Sequence, residues 1–334
     1  MPVHTDESLF QACYQISKQI VQQVQKIIID KDVAIVKTLM AILAQGHILI
    51  EDVPGVGKTS LALAFSRAMN LDYKRLQFTP DVLPSDVIGF SMYNKQTAQF
   101  EYKPGAALCN LFLADEINRT SSKTQSALLE VMEESHVTVD GVTYDLPKPY
   151  IVLATQNPIG SIGTQMLPES QLDRFMIRLS MGYPNKRSEM DILKGRQTKD
   201  PLTRIRPVAD AEDIQMMQKL VEQIHISDPV YEYLVELVSA TRTHSLIKLG
   251  VSPRGSIAVM RMAKACAFLQ NRDFVVPEDV RTIFLDVAAH RILLSPKAKA
   301  SGMTAEQLLA EILNTTPIPE QKTPVRSRTT EKRA

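Results

Sequence analysis

Residues 52–59 read Asp-Val-Pro-Gly-Val-Gly-Lys-Thr, a pattern whose chemistry is phosphate binding. It follows the spacing GxxxxGK[ST], with Asp52 in place of the first glycine. Glycines are needed there because backbone N–H groups must approach phosphate oxygens with no Cβ in the way. Lys58 is spaced to reach the β- and γ-phosphates, and the Thr59 hydroxyl to hold Mg²⁺. A helix starting at this point would add its positive dipole end. Further along, Asn110-Leu-Phe-Leu-Ala-Asp-Glu116 is a short apolar run ending in two carboxylates. After a phosphate-binding loop, the first acid, Asp115, is expected to bind Mg²⁺ through water. The second, Glu116, is expected to act as general base on the attacking water, which favours hydrolysis over transfer to a metabolite. The predicted nucleotide-binding set is therefore Pro54, Gly55, Val56, Gly57, Lys58, Thr59, Ser60 and Asp115, with ATP and Mg²⁺ as cofactors.

Hydrophobic periodicity supplies the elements that must position these residues. His47-Ile48-Leu49-Ile50 reads as a buried strand entering the loop, and a helix from about Thr59 buries Leu61, Phe65 and Ala68. Leu111 to Ala114 and Tyr150 to Ala154 read as further strands. Between them a helix from Ser122 to Glu134 carries Leu128, Leu129 and Met132 on one face. Short apolar strands alternating with helices predict an α/β fold with a parallel sheet flanked by helices. Two helices, over Ser8–Ile29 and Val33–Ala44, precede the first strand. Beyond Tyr183 no strand-like run is expected. Helix starts at Asp228-Pro229, Ser252-Pro253 and Pro277 predict a small all-helical domain instead. The expected division is an N-terminal helix (1–26), an α/β core (27–184), a helical domain (185–314) and a disordered, Pro- and Lys/Arg-containing tail (315–334).

Composition narrows the function classes. A chain of 334 residues with 44% apolar and 22% charged residues is an ordinary globular protein of about two domains. Lys plus Arg is 38 against 37 for Asp plus Glu, a net charge of +1, which weighs against a dedicated nucleic-acid binder. The scattered cysteines Cys13, Cys109 and Cys266 form no CxxC pair and suit a reducing compartment. No apolar run spans a bilayer and the first residues do not read as a leader, so the expected location is cytoplasmic. The six histidines have no metal-ligand spacing.

The ordered motifs resemble the MoxR group of AAA+ ATPases. They are EDVPGVGKT (51–59), FTPDVLPSDVIG (78–89), LADEINRTSSKTQSALLEVMEE (113–134), VLATQNP (152–158), LPESQLDRF (167–175), GVSPRGS (250–256) and NRDFVVPEDV (271–280). The resemblance implies a P-loop AAA+ core followed by a helical lid. By position it implies that Asn157 is sensor 1, orienting the water or touching the γ-phosphate. It makes Arg174 the arginine finger supplied to a neighbouring subunit, and Arg254 sensor 2, reaching the nucleotide of its own subunit. Asn118 and Arg119 fall near the subunit interface, and Arg119 is the alternative to Arg174 as the trans-acting arginine. The implied assembly is a ring, a hexamer, whose nucleotide state moves the lid against the core.

Chaperone-like work on partner proteins, including metal insertion and often von Willebrand factor A domain proteins, is implied in the same way. The rivals are a chelatase-type motor subunit, a nucleic-acid-stimulated motor and an ATP-dependent assembly switch. Two hairpins complete the reading. One lies between Gln77 and Gly105, resembling an insert that faces the ring pore. The other is Val137–Val139 and Val142–Tyr144 about an Asp140-Gly141 turn. The chain departs from the family at Asp30, following Ile28-Ile29 where a Val-Gly pair meets adenine, and at Ile159–Thr164.

Overall fold

The computed structural model describes residues 7–157, 167–195 and 201–319. Helix α1 (Glu7–Gln25) buries Phe10, Cys13, Ile20 and Val24 along one stripe, the pattern of a helix laid on a core. Helix α2 (Asp32–Leu43) is more apolar and buries most of its surface. After Gly46 the chain enters β1 (Ile48–Glu51), then α3 (Lys58–Ala68), β2 (Tyr73–Gln77) and α4 (Pro84–Ile88). A hairpin, β3 (Gly89–Asn94) and β4 (Gln99–Pro104), leads to β5 (Leu111–Asp115) and α5 (Ser122–Glu134). A second hairpin, β6 (His136–Val139) and β7 (Val142–Asp145), precedes β8 (Ile151–Gln156). Helix α6 (Glu169–Leu172), β9 (Ile177–Leu179) and α7 (Lys186–Gly195) close the α/β part.

Five strands form one parallel sheet in the order β2-β5-β8-β1-β9. Every residue of β5 and β8 is buried, as expected of central strands covered on both faces. Alternate residues serve two cores. Ile48, Ile50, Leu113 and Leu153 join the one built with α1, α2 and α3, whereas Leu49, Phe112, Val152 and Ala154 join the one built with α5. Because all five strands run the same way, their C-terminal ends share one edge of the sheet and their N-terminal ends the other.

Besides two short 3-10 turns (Ile117–Arg119 and Pro201–Arg204), the remaining described elements are α8 (Ala211–Gln223), α9 (Asp228–Thr243), β10 (Ile247–Leu249), α10 (Pro253–Leu269), α11 (Pro277–Ala288), β11 (Leu293–Leu294), α12 (Pro296–Ala300) and α13 (Ala305–Thr315). Pro253 and Pro277 open their helices in the first turn, where a missing N–H costs nothing. The structure adds three features to the sequence reading, the first of them a correction to the expectation of no strand beyond Tyr183. The helical region contains a short antiparallel ribbon, β10 with β11, too brief to leave an apolar run. Strands β2 and β9 join the sheet without an apolar signal. The first, Tyr-Lys-Arg-Leu-Gln, is an edge strand that carries two charged residues and no fully buried one, and the second has only three residues. Helix α1 is not set apart, since it packs on α2, α3, α8 and α10. The two hairpins also touch, through Tyr102 and Tyr144 stacked with centroids 3.9 Å apart. Among the described residues no helix is long and apolar enough to cross a membrane. The expected tail beyond 319 and the Ile159–Thr164 departure lie outside the described residues.

Candidate functional site

At the C-terminal edge of the sheet, β1 runs into the glycine-rich loop. Gly55 and Gly57 adopt φ of 87° and 98°, left-handed values that glycine reaches without steric cost. Around a Cβ placed on Gly55 there would be nothing within 4 Å, and on Gly57 only Met181 Cε at 3.9 Å, so the loop is an open cradle. Gly57 is also the N-cap of α3 and offers no side-chain cap, leaving the first-turn N–H groups to the cradle. Pro54 is exposed, while Val56, Thr59 and Ser60 are half-buried. Lys58 is buried and donates to the Asp52 carbonyl at 2.7 Å. Burial lowers its pKa, opposed by the negative charges of Asp115, Asp52 and Glu116.

Asp52 does more than replace a glycine. Its Oδ2 accepts from Met181 N and Gly182 N at 2.6 Å each and from Ser180 Oγ at 3.0 Å, and its Oδ1 accepts from Val53 N at 2.9 Å. The carboxylate thereby ties the loop to the segment leaving β9. Burial pushes its pKa up, but the donated hydrogen bonds prevail and hold it below the ordinary aspartate value.

Beside the loop, β5 ends in the acidic pair. Asp115 Oδ1 accepts from Thr155 Oγ1 at 2.6 Å, and Oδ2 from Arg75 at 2.7 and 3.2 Å. Glu116 has φ 59° and ψ 47°, a left-handed conformation uncommon outside glycine, which turns its carboxylate off the strand. Its backbone N–H donates to Thr155 Oγ1 at 2.8 Å. Its side chain accepts from Arg119 at 2.7 Å and from Asn157 Nδ2 at 3.2 Å. Burial pushes the Glu116 pKa up, but Arg119 and Asn157 outweigh it and keep the carboxyl below its usual range. Asn157 is buried, exchanges backbone–side-chain bonds with Asn118, and leaves its Oδ1 with no partner among the described residues. Lys58, Asp115, Glu116 and Asn157 thus lie together at this edge.

A cavity of about 460 Å³ adjoins the loop and is lined by Ile27, Ile28, Ile29, Ile192 and Leu202. Asp30, next to the Ile27–Ile29 wall, has φ 64° and accepts from Asn185 N and Nδ2 at 3.0 and 2.7 Å.

Arg174 and Arg254 lie elsewhere. They line a cleft of about 820 Å³ together with Gly46, His47, Pro149, Tyr150 and Met176, residues that precede β1, β8 and β9. That is the N-terminal edge of the sheet, about 13 Å from the loop along four residues of β1. Both arginines meet one carboxylate there, Glu133 at the end of α5, at 3.1 and 3.0 Å. The expectation that Arg254 reaches its own subunit's nucleotide is therefore corrected. The helical region docks α10 against the far edge, and the sheet stands between. His47 on the cleft wall is neutral. Its Nδ1 accepts from Val152 N and its Nε2 meets the Met132 carbonyl, and burial lowers its pKa to about 4.

Several contributors have little or no sequence signal. Thr155 sits inside VLATQNP, two residues before the predicted Asn157, and was within reach of that motif. Arg75, on an edge strand beside Lys74, and Glu133, at a helix end beside Glu134, read as surface charges, and only the tertiary fold gives them partners.

The chain matches the family model of the ATPase family associated with various cellular activities (AAA) over residues 47–177, and that of the AAA lid domain over 239–312. It is 48% identical over 307 residues to the uncharacterized protein YeaC of Bacillus subtilis, covering 92% of this chain and 96% of that one. To Chaperone MoxR1 of Mycobacterium tuberculosis it is 36% identical, covering 89% and 81%. A solved Cytophaga hutchinsonii structure, assigned as an ATPase, superposes with a TM-score of 0.88 at 38% identity, over 94% of this chain and 98% of that one. Motif order, sheet order, lid and kinship agree, and the chain belongs to the MoxR family of AAA+ ATPases.

Proposed function

We propose that this protein hydrolyses Mg²⁺-bound ATP at the C-terminal edge of its sheet, and that a neighbouring copy completes the site with Arg174 and Arg254. One observation carries the reading. The phosphate cradle and the two arginines stand on opposite edges of the same sheet, so one subunit holds two halves that only head-to-tail association can join. Such association closes into a ring when the rotation between neighbours closes and runs on as a filament when it does not, and kinship selects the ring.

The residues present fit the ligand: an open glycine cradle, a buried lysine, paired carboxylates and an orphaned buried acceptor. Lys58, Thr59 and Asp115 would hold the triphosphate and its ion, which supplies charge neutralisation across the phosphates. Glu116 takes the proton of the attacking water. The free Oδ1 of Asn157 accepts the other proton of that water and fixes its direction. The neighbour's arginines offset the charge that develops on the transferring group. The cavity bounded by Ile27–Ile29 and Leu202 receives the base.

The same reading keeps the division near residue 185 into α/β core and helical lid, with α1 and α2 packed on both. A hexamer, a cytoplasmic location, and remodelling or metal loading of partner proteins, von Willebrand factor A domain proteins among them, are part of the proposal. These last points rest on kinship alone. The test is turnover per subunit across the concentration range in which mass photometry sees the assembly dissociate. Turnover should fall as the assembly falls apart. A monomer as active as the assembly would overturn the reading.

A further inference from the structure

Arg291 follows α11 in the lid, yet its side chain is only 2% exposed. Its guanidinium has five N–H donors, and each finds an acceptor. Nε donates to Asp173 Oδ1 at 2.8 Å. The two terminal nitrogens donate to the carbonyls of Asp173 at 3.3 Å, Phe175 at 2.5 Å and Met176 at 3.1 Å, and to that of Val287. All but the last lie in the core segment between α6 and β9, the segment that carries Arg174.

Asp173 in turn accepts from Ser252 Oγ at 2.8 Å. Ser252 is the N-cap of α10, and Arg254 lies in the first turn of that helix. That turn is pressed against the clamp. A Cβ on Gly255 would stand 2.9 Å from Arg291 Cδ and 2.5 Å from Val251 Cγ1. Arg174 and Arg254 are therefore joined twice, through their shared Glu133 and, beneath it, through Asp173 with Ser252 and Arg291.

We propose that Arg291 is a positioning residue for ATP hydrolysis: through Asp173 it locks the lid's Arg254 and the core's Arg174 into one preformed unit aimed at the neighbouring subunit's phosphates. This rests on the neighbour-completed site proposed above. It has a mechanical consequence. A lid swinging against its own core would have to unmake the Asp173–Arg291 ion pair and give up the core carbonyls, leaving the guanidinium only Val287 and His290 as acceptors on its own side. Lid and arginine segment move together, and the nucleotide-dependent displacement falls at the junction between subunits.

The experiment uses full-length chains carrying Arg291→Gln or the milder Asp173→Asn, with Arg174→Ala in parallel. Binding of a fluorescent ATP analogue and turnover are measured for each alone, then for each mixed with Lys58→Ala chains. The positioning variants should bind nucleotide as wild type does, because their cradles lie at the far edge. Their kcat should fall on the order of 100-fold with KM unchanged, the scale of a small misplacement of catalytic groups. Mixing should restore turnover, because an intact cradle then meets the arginine edge of a Lys58→Ala neighbour. Wild-type kcat in both variants would overturn the proposal. So would rescue of Arg174→Ala without rescue of either positioning variant, which would mark a merely structural role. Failure to rescue Arg174→Ala itself would remove the neighbour-completed site, and this proposal with it.

Discussion

The two edges of the central sheet are built on different physical plans. The C-terminal edge is made from a few short runs of chain. Its cradle comes from 52–60, its acids from 115 and 116, and its parts are open and, at Asn157 Oδ1, unpaired. The N-terminal edge gathers Glu133, Asp173, Arg174, Arg254 and Arg291 from distant parts of the chain and pairs every one of them. The first edge keeps an open glycine loop and a buried acceptor without a partner among the described residues, and is suited to receive a ligand. The second is prearranged and is suited to be presented as one.

The sharpest way to break this comparison is to remove the presented charge. Arg174→Ala should leave nucleotide affinity nearly intact and lower turnover by about 10³–10⁵-fold, the scale of a trans-acting arginine. Phosphate release and equilibrium nucleotide binding on the same preparation check it. Turnover persisting at the wild-type rate would assign the role to another arginine.

The same difference explains what was legible in the sequence. The cradle could be read because its chemistry is local, with glycine spacing, lysine and hydroxyl in one short run. Strands β5 and β8 could be read because burial on both faces leaves continuous apolar runs. Strand β2 could not, since an edge strand with Lys74 and Arg75 carries no such run. At the other edge, SPRG identified Arg254 as a residue of interest but not the edge it occupies. That depends on how α10 docks, which local spacing does not encode. Arg291 had no signal at all: an arginine just past a helix reads as a solvated charge, and only packing against Asp173 and three carbonyls makes it a clamp.

Within the cradle edge, Glu116→Gln removes the proposed base and keeps the shape. Nucleotide binding and assembly should survive while turnover falls by about 10²–10⁴-fold. Single-turnover phosphate release with pre-bound ATP is the measurement, and normal turnover would dismiss Glu116 as the base.

Asp52 offers a smaller effect, on stability. Its pKa is depressed in the folded protein, so its contribution is present above the unfolded value near 3.9 and is lost as pH falls through the lower, folded value. Asp52→Asn should cost about 1–3 kcal/mol at neutral pH, from weakened charge-assisted hydrogen bonds. The difference from wild type should shrink in strongly acidic solution. Denaturant melts at several pH values would show it, and a difference independent of pH would assign the tie to shape rather than charge.

The finest test concerns Arg119, which the motif order left as an alternative to Arg174. Its guanidinium is engaged by its own subunit's Glu116 at 2.7 Å, a restraint on the base rather than a group presented outward. In Arg119→Ala, burial still pushes the Glu116 carboxyl up, while the leading opposing hydrogen bond and its charge are gone. The pKa of the base must rise. Because the base works only when deprotonated, the acid limb of the kcat–pH profile should move to higher pH, and turnover on the plateau should remain. A collapse of kcat at every pH, like that expected of Arg174→Ala, would instead make Arg119 an arginine that acts on a neighbour. The two edges of the sheet would then both supply trans-acting charge.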